Sequence, residues 1–145
     1  MDELDFERRE KLEGQARMLS IGHFIYGALV GLFSLLPLIY VGMGIMIMVA
    51  PLPANPNDPP PAVMGGIFVG IGLLAFVFIL ALAILNIVAG FSLSRRKGRT
   101  LIFIAAVMNL LNQPIGLVIG ILTLLYMIQA DVKTLFEMAK YEEDY

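Results

Sequence analysis

His23, Asn86 and Asn109 are the residues whose types could do chemistry inside the apolar parts of this chain. His23 is the only histidine, about one helical turn inside the start of the first apolar block. Asn86 lies about as deep in the second block, counted back from a basic turn, and Asn109 somewhat deeper in the third. In a helical bundle these three depths allow one polar layer. A lone histidine supplies the axial ligand that a haem or pigment requires, but no carboxylate stands near it in the apolar blocks to orient its ring. The expected role is an interhelical hydrogen-bond cluster, each contact worth about 0.6 kcal/mol. No cofactor is expected.

Other chemistry lacks its residues. The chain has no cysteine, so disulfides, thiolate nucleophiles and Cys-ligated metals are excluded. No Ser-His-acid set, paired carboxylates or metal-ligand spacing is found, and neither catalytic nor metal-binding residues are assigned. Charged residues are absent from Met18 to Asn57, from Pro59 to Ser94 and from Thr100 to Ala130. With no ion inside these stretches there is no evident proton relay, ion-coupling site or voltage sensor, and the expectation is that the chain is not an enzyme. The nine methionines read as apolar filler.

The elements that position the polar layer follow from composition. With 59% hydrophobic residues and a mean hydropathy of +0.84, the chain reads as an all-α integral membrane protein. Three long transmembrane helices are expected, at 19–50, 62–91 and 101–128, inside a domain spanning 19–130. The first exceeds a hydrocarbon core of about 30 Å and should kink near Pro37. The segment 1–18 reads as a short charged helix ahead of the membrane, with Asp5 and Arg9, Glu7 and Lys11, and Glu13 and Arg17 paired at i,i+4. Its six acids in Met1–Glu13 argue against a cleaved signal peptide. Residues 51–61 hold six prolines and form a stiff connector.

The third block carries Asn112, Gln113, Pro114 and Gly116 at its middle. Its length matches the other blocks and favours a single span kinked or broken near Pro114. The alternative is a hairpin with arms Thr100–Leu111 and Leu117–Ile128, each about 18 Å long and too short to cross. Close helix contact is suggested by Gly27 with Gly31, Gly66 with Gly70, and Gly116 with Gly120. The segment 131–145 combines an amphipathic helix with an acidic tail. Val132, Leu135, Phe136 and Ala139 form its apolar stripe, suited to the membrane surface or a partner.

Arg95, Arg96, Lys97 and Arg99 make a basic turn between the second and third blocks. Short loops rich in Lys and Arg stay cytoplasmic, so this turn anchors the topology and offers contacts to lipid headgroups. The amino terminus and residues 92–100 are then cytoplasmic and residues 51–61 external. The carboxyl terminus would lie outside for a kinked span and inside for a hairpin. The charge of -2, with base gathered in one turn, gives no nucleic-acid footprint.

Ser20-Ile21-Gly22-His23-Phe24-Ile25-Tyr26, Pro37-Leu38-Ile39, the Arg-rich turn, Pro114-Ile115-Gly116 with Gly120 and Thr123-Leu124, and Asp131 to Phe136 together resemble a family of small uncharacterised bacterial integral membrane proteins with three or four hydrophobic helices. The resemblance covers residues 15–136. Where its members usually carry Thr after Pro-x-Gly, this chain has Leu117. The resemblance implies a multi-pass protein of the bacterial cytoplasmic membrane and no activity. Together these readings lead to an accessory or structural subunit of a larger membrane complex, its partners being lipid and other subunits or copies of itself. The alternative is a homo-oligomeric channel or small-solute pore lined by Asn112, Gln113 and the His23 layer.

Overall fold

The computed structural model describes residues 3–50, 59–111 and 114–141. The connector residues 51–58, Asn112, Gln113 and the acidic tail from Glu142 to Tyr145 lie outside them. Among the described residues all regular structure is helical: α1 (Glu3–Phe33), α2 (Leu38–Val49), α3 (Pro61–Ser94), α4 (Arg99–Leu110), α5 (Ile115–Ile128) and α6 (Ala130–Tyr141). Two stretches, Phe6–Val49 and α3, are long and apolar enough to cross a membrane, which points to a membrane location.

The chain divides into two compact units, and the division falls inside α1 and α3. In the unit formed by residues 29–81, α1 stops where Pro37 requires it. Proline has no N–H to give to the Phe33 carbonyl and its ring crowds that group. The Leu36 N–H bonds the Phe33 carbonyl instead at 3.1 Å, and Leu35, Leu38, Ile39 and Tyr40 also bond three residues back. This tight turn satisfies the backbone through the interruption. Beyond it, α2 and α3 lie antiparallel at very short range. A methyl on Gly44 would meet the Gly65 carbonyl at 2.6 Å, one on Gly72 would meet the Pro37 carbonyl at 2.8 Å, and one on Gly65 would strike the Gly44 carbonyl. The contact face of α3 is thus Gly65, Val69 and Gly72, at i, i+4 and i+7. Gly66 and Gly70, the expected pair, stand off this face, with nothing within 4 Å of a carbon added at Gly70.

The other unit comprises residues 1–28 and 82–145. Here α1 continues from the charged segment into the apolar block without interruption, so the described part of the charged segment, from Glu3, forms its first turns. The α1 and α3 segments run antiparallel. Ser20 donates from Oγ to the Gly90 carbonyl at 2.8 Å, and the rings of Phe24 and Phe91 meet edge to face at 4.8 Å.

The third apolar block differs from the single kinked span that its length suggested. Helix α5 folds back along α4 in antiparallel register. A carbon added at Gly116 would meet the Asn109 carbonyl at 2.8 Å, one at Gly120 the Ala106 carbonyl at 2.7 Å, and the Arg99 guanidinium reaches the Met127 carbonyl at 2.9 Å. Glycine at 116 and 120 permits the approach, and Pro114 cannot continue α4, so the chain reverses. After α5 the chain turns by 80° into α6. Val132 and Phe136 of the stripe are buried in one cluster with Leu12, Ala16, Leu93, Ile102, Tyr126 and Met127, and Leu135 is buried as well. The stripe was expected to cover a membrane surface or a partner; its cover is the chain's own α1, α3 and hairpin. Full burial of such side chains stabilises by roughly 1.5–3 kcal/mol each.

The α2–α3 face yields a paired test. Gly65→Ala should lower unfolding stability in detergent by about 1–3 kcal/mol, through overpacking against backbone. Gly70→Ala should change it by less than about 0.5 kcal/mol. Equal losses would contradict this contact face.

Candidate functional site: a closed polar node

A carboxamide placed in an apolar helix pair has nowhere to send its hydrogen bonds except to other groups of the protein. Asn86, on α3, faces α1 on one side and α4 on the other. Its Nδ2 donates to the Leu82 carbonyl one turn back at 2.9 Å and to Asn109 Oδ1 at 3.0 Å. Its Oδ1 accepts from Asn109 Nδ2 at 2.7 Å and from His23 Nδ1 at 3.0 Å. The Leu82 carbonyl is an acceptor only, which fixes the orientation of the amide. Oδ1 therefore faces His23, and Nδ1 must carry the ring proton. In the neutral ring Nε2 is then the acceptor, and the Thr123 hydroxyl at 3.1 Å donates to it.

Four helices meet at this node: α1 through His23, α3 through Asn86, α4 through Asn109 and α5 through Thr123. Each of these side chains is at most 1% exposed. The structure thus brings together His23, Asn86 and Asn109, the three residues selected from their depth in the apolar blocks. Thr123 completes the set. Asn112 and Gln113 lie outside the described residues, while Pro114 is exposed and Gly116 is packed against Tyr26 and Asn109.

The node's chemistry is self-contained. Both ring nitrogens of His23 are occupied, both Asn86 donors are used, and the two asparagines form a reciprocal pair. Among the described residues no group of three or more His, Cys, Asp or Glu is arranged to hold a metal ion.

The basic turn is built as a second structural point. Arg96 sits at φ 53°, in the left-handed region, where a non-glycine residue is strained by roughly 1–2 kcal/mol. The Arg96 N–H bonds the Leu93 carbonyl at 3.2 Å and the Lys97 N–H bonds the Ser92 carbonyl at 2.9 Å, closing the end of α3 as a Schellman motif. Its side chain pairs with Glu13 at 3.0 Å, a longer-range partner than the Arg17 expected for that carboxylate. Arg99 reaches the Met127 carbonyl in the last turn of α5, where a cation complements the helix dipole. Sequence reasoning assigned these cations to topology; the loop signal held nothing to reveal their helix-end contacts. At the same end, Tyr126 donates to the Leu12 carbonyl at 3.2 Å and Arg8 pairs with Asp131 at 3.5 Å.

Comparison with protein-family models, curated proteins and solved structures finds no match.

The reciprocal asparagine pair predicts strong coupling. Asn86→Leu should destabilise the protein in detergent by about 1–3 kcal/mol, because it strands Asn109 and His23. Asn109→Leu should cost much less in that background than alone, with a coupling energy of about 0.6–1.7 kcal/mol in a double-mutant cycle. Additive losses would argue against the pair.

Proposed function

We propose that this chain is a non-catalytic accessory or structural subunit of a membrane complex, multi-pass in a bacterial cytoplasmic membrane. The observation that carries this reading is the closure of the polar node. The only strongly polar groups deep in the described apolar helices are spent on holding four helices together. A catalytic or transport role would need one of them presented to a substrate. The channel reading gains no support from the His23 layer, which is buried within one copy of the chain.

A second observation favours a partner. Between α1 and α5 runs an open groove of about 370 Å³ lined mainly by apolar residues, among them Met18, Leu19, Gly22, Ile119 and Leu122, together with Gln15 and Gln129. A carbon added at Gly22 would meet nothing within 4 Å. Such a groove suits the side chains of a neighbouring transmembrane helix, since helices in lipid associate through close packing at small residues. The amphipathic α6 serves internal packing, so the spans themselves are the docking surfaces in this reading.

The same reading assigns a topology. The Phe6–Val49 stretch and α3 cross, and the α4–α5 hairpin, with arms of 12 and 14 residues, enters and returns. The arms are about 18 and 21 Å long, short of a bilayer core. The amino-terminal turns, the basic turn and α6 then share the cytoplasmic side. The ion pairs Arg96–Glu13 and Arg8–Asp131 support that grouping.

Purification of the tagged protein from native membranes should yield another membrane protein in fixed proportion; a chain that always runs alone would contradict the subunit reading. The lack of cysteine makes topology directly measurable. Single Lys133→Cys and Arg95→Cys variants should react with an impermeant maleimide only after the cytoplasmic face is opened, and Asn55→Cys should react in intact cells. External labelling at position 133 would contradict the re-entrant hairpin.

A further inference from the structure

Two clefts at the basic end share Arg99. The first, about 300 Å³, is lined by Arg96, Lys97, Gly98, Arg99 and Lys133, with Phe136 and the Glu137 carboxylate on its far wall. Four cations and one acid line it, and Arg96 is also paired with Glu13 at 3.0 Å. Arg99 is bonded to a neutral carbonyl, and Lys133 stands 3.9 Å from Glu137 with both side chains well exposed. The second cleft, also about 300 Å³, is formed by Thr100, Phe103, Met127 and Ile128 beside Arg99, with the Phe103 and Ile128 side chains open to the surroundings. It lies on the outer face of the α4–α5 hairpin, where the charged turn gives way to the apolar helices.

A basic recess and an apolar groove that share Arg99, at the boundary between charged and uncharged sequence, match an amphiphile. We infer that these clefts form a binding site for an anionic phospholipid. Its phosphate lies among Arg96, Arg99 and Lys133, and the first part of an acyl chain lies along Phe103 and Ile128. The guanidinium groups supply forked donors for phosphate oxygens, and the ammonium of Lys133 adds a point charge. The first turn of α4 also opens at this recess, with Gly98 at φ 67° and no side chain bonded across the helix start, so its backbone N–H groups add to the field. A soluble phosphate would use only the first cleft. The apolar second cleft argues for lipid.

The geometry separates a site from diffuse attraction, because Arg95 belongs to the same basic turn but does not line either cleft. The full-length protein in neutral detergent is titrated with dioctanoyl phosphatidylglycerol, dioctanoyl phosphatidylcholine or inorganic phosphate, and bound molecules are counted by native mass spectrometry. Phosphatidylglycerol should bind at one saturable site and phosphatidylcholine much more weakly. Lys133→Gln, an exposed change that should leave the fold intact, should weaken phosphatidylglycerol binding by about fivefold, and Arg95→Gln should leave it unchanged. Phe103→Ser should weaken phosphatidylglycerol while leaving any binding of inorganic phosphate as it was. Equal losses from Lys133→Gln and Arg95→Gln would overturn the site in favour of general charge attraction. Displacement of the lipid by equimolar inorganic phosphate would overturn the lipid assignment, and equal binding of phosphatidylcholine would overturn headgroup recognition. A circular-dichroism melt of each variant guards against reading a folding defect as lost binding.

Discussion

The carboxamide of Asn86 is the point on which one whole unit of the structure depends. In an apolar setting each of its donors and acceptors must find a protein partner, and the partners on other helices tie those helices down. Leu82 fixes the rotamer, Asn109 draws in α4, and His23 draws in α1. His23 passes the constraint on through its second nitrogen to Thr123 on α5. Packing among Leu, Ile and Val side chains would be nearly as favourable in several rotations of these helices. The node selects one rotation, because any other would strand several polar groups in an apolar interior.

Once that rotation is set, the glycines can be understood by position. Gly90 lets α3 approach Ser20 and Phe24, while Gly116 and Gly120 let α5 lie against the α4 backbone. The fold-back of α5 then delivers α6 to the amino-terminal end of α1, where its apolar stripe is covered. The charged residues close this end. Arg96, Arg99 and Arg8 each reach a group on another helix, so the basic turn is a structural junction as well as a block of positive charge. Ion pairs this exposed contribute at most about 1 kcal/mol each, and the apolar contacts beneath them supply more.

The polar node was largely legible in the residues themselves. Counting helical turns inward from the charged boundaries placed His23, Asn86 and Asn109 at comparable depth, and lipid leaves such side chains few alternatives. Thr123 escaped because its depth has meaning only after the chain reverses between α4 and α5. That reversal was the harder step: an apolar block of some 28 residues has the same composition whether it crosses once or returns. The glycines at 116 and 120 carried the useful signal, and their spacing is common enough in apolar helices to be discounted. The apolar stripe of α6 was plain from its periodicity, but periodicity says only that a face is covered. What covers it, here residues more than a hundred positions upstream such as Leu12 and Ala16, is a property of the tertiary fold. The choice of Gly65 and Gly72 over Gly66 and Gly70 is of the same kind, because four glycines within eight residues offer two faces and the partner helix decides between them.

In this structure His23 is a locked structural group, with its proton on Nδ1 directed to Asn86 and its Nε2 accepting from Thr123. A chain with one histidine makes this directly measurable, since ring nitrogen-15 labelling gives only two signals to assign. Solid-state or detergent-solution NMR at neutral pH should show a single neutral species, protonated at Nδ1 and hydrogen-bonded but unprotonated at Nε2. A ring protonated at Nε2, or one averaging between tautomers in exchange with water, would contradict the closed node and the reading built on it.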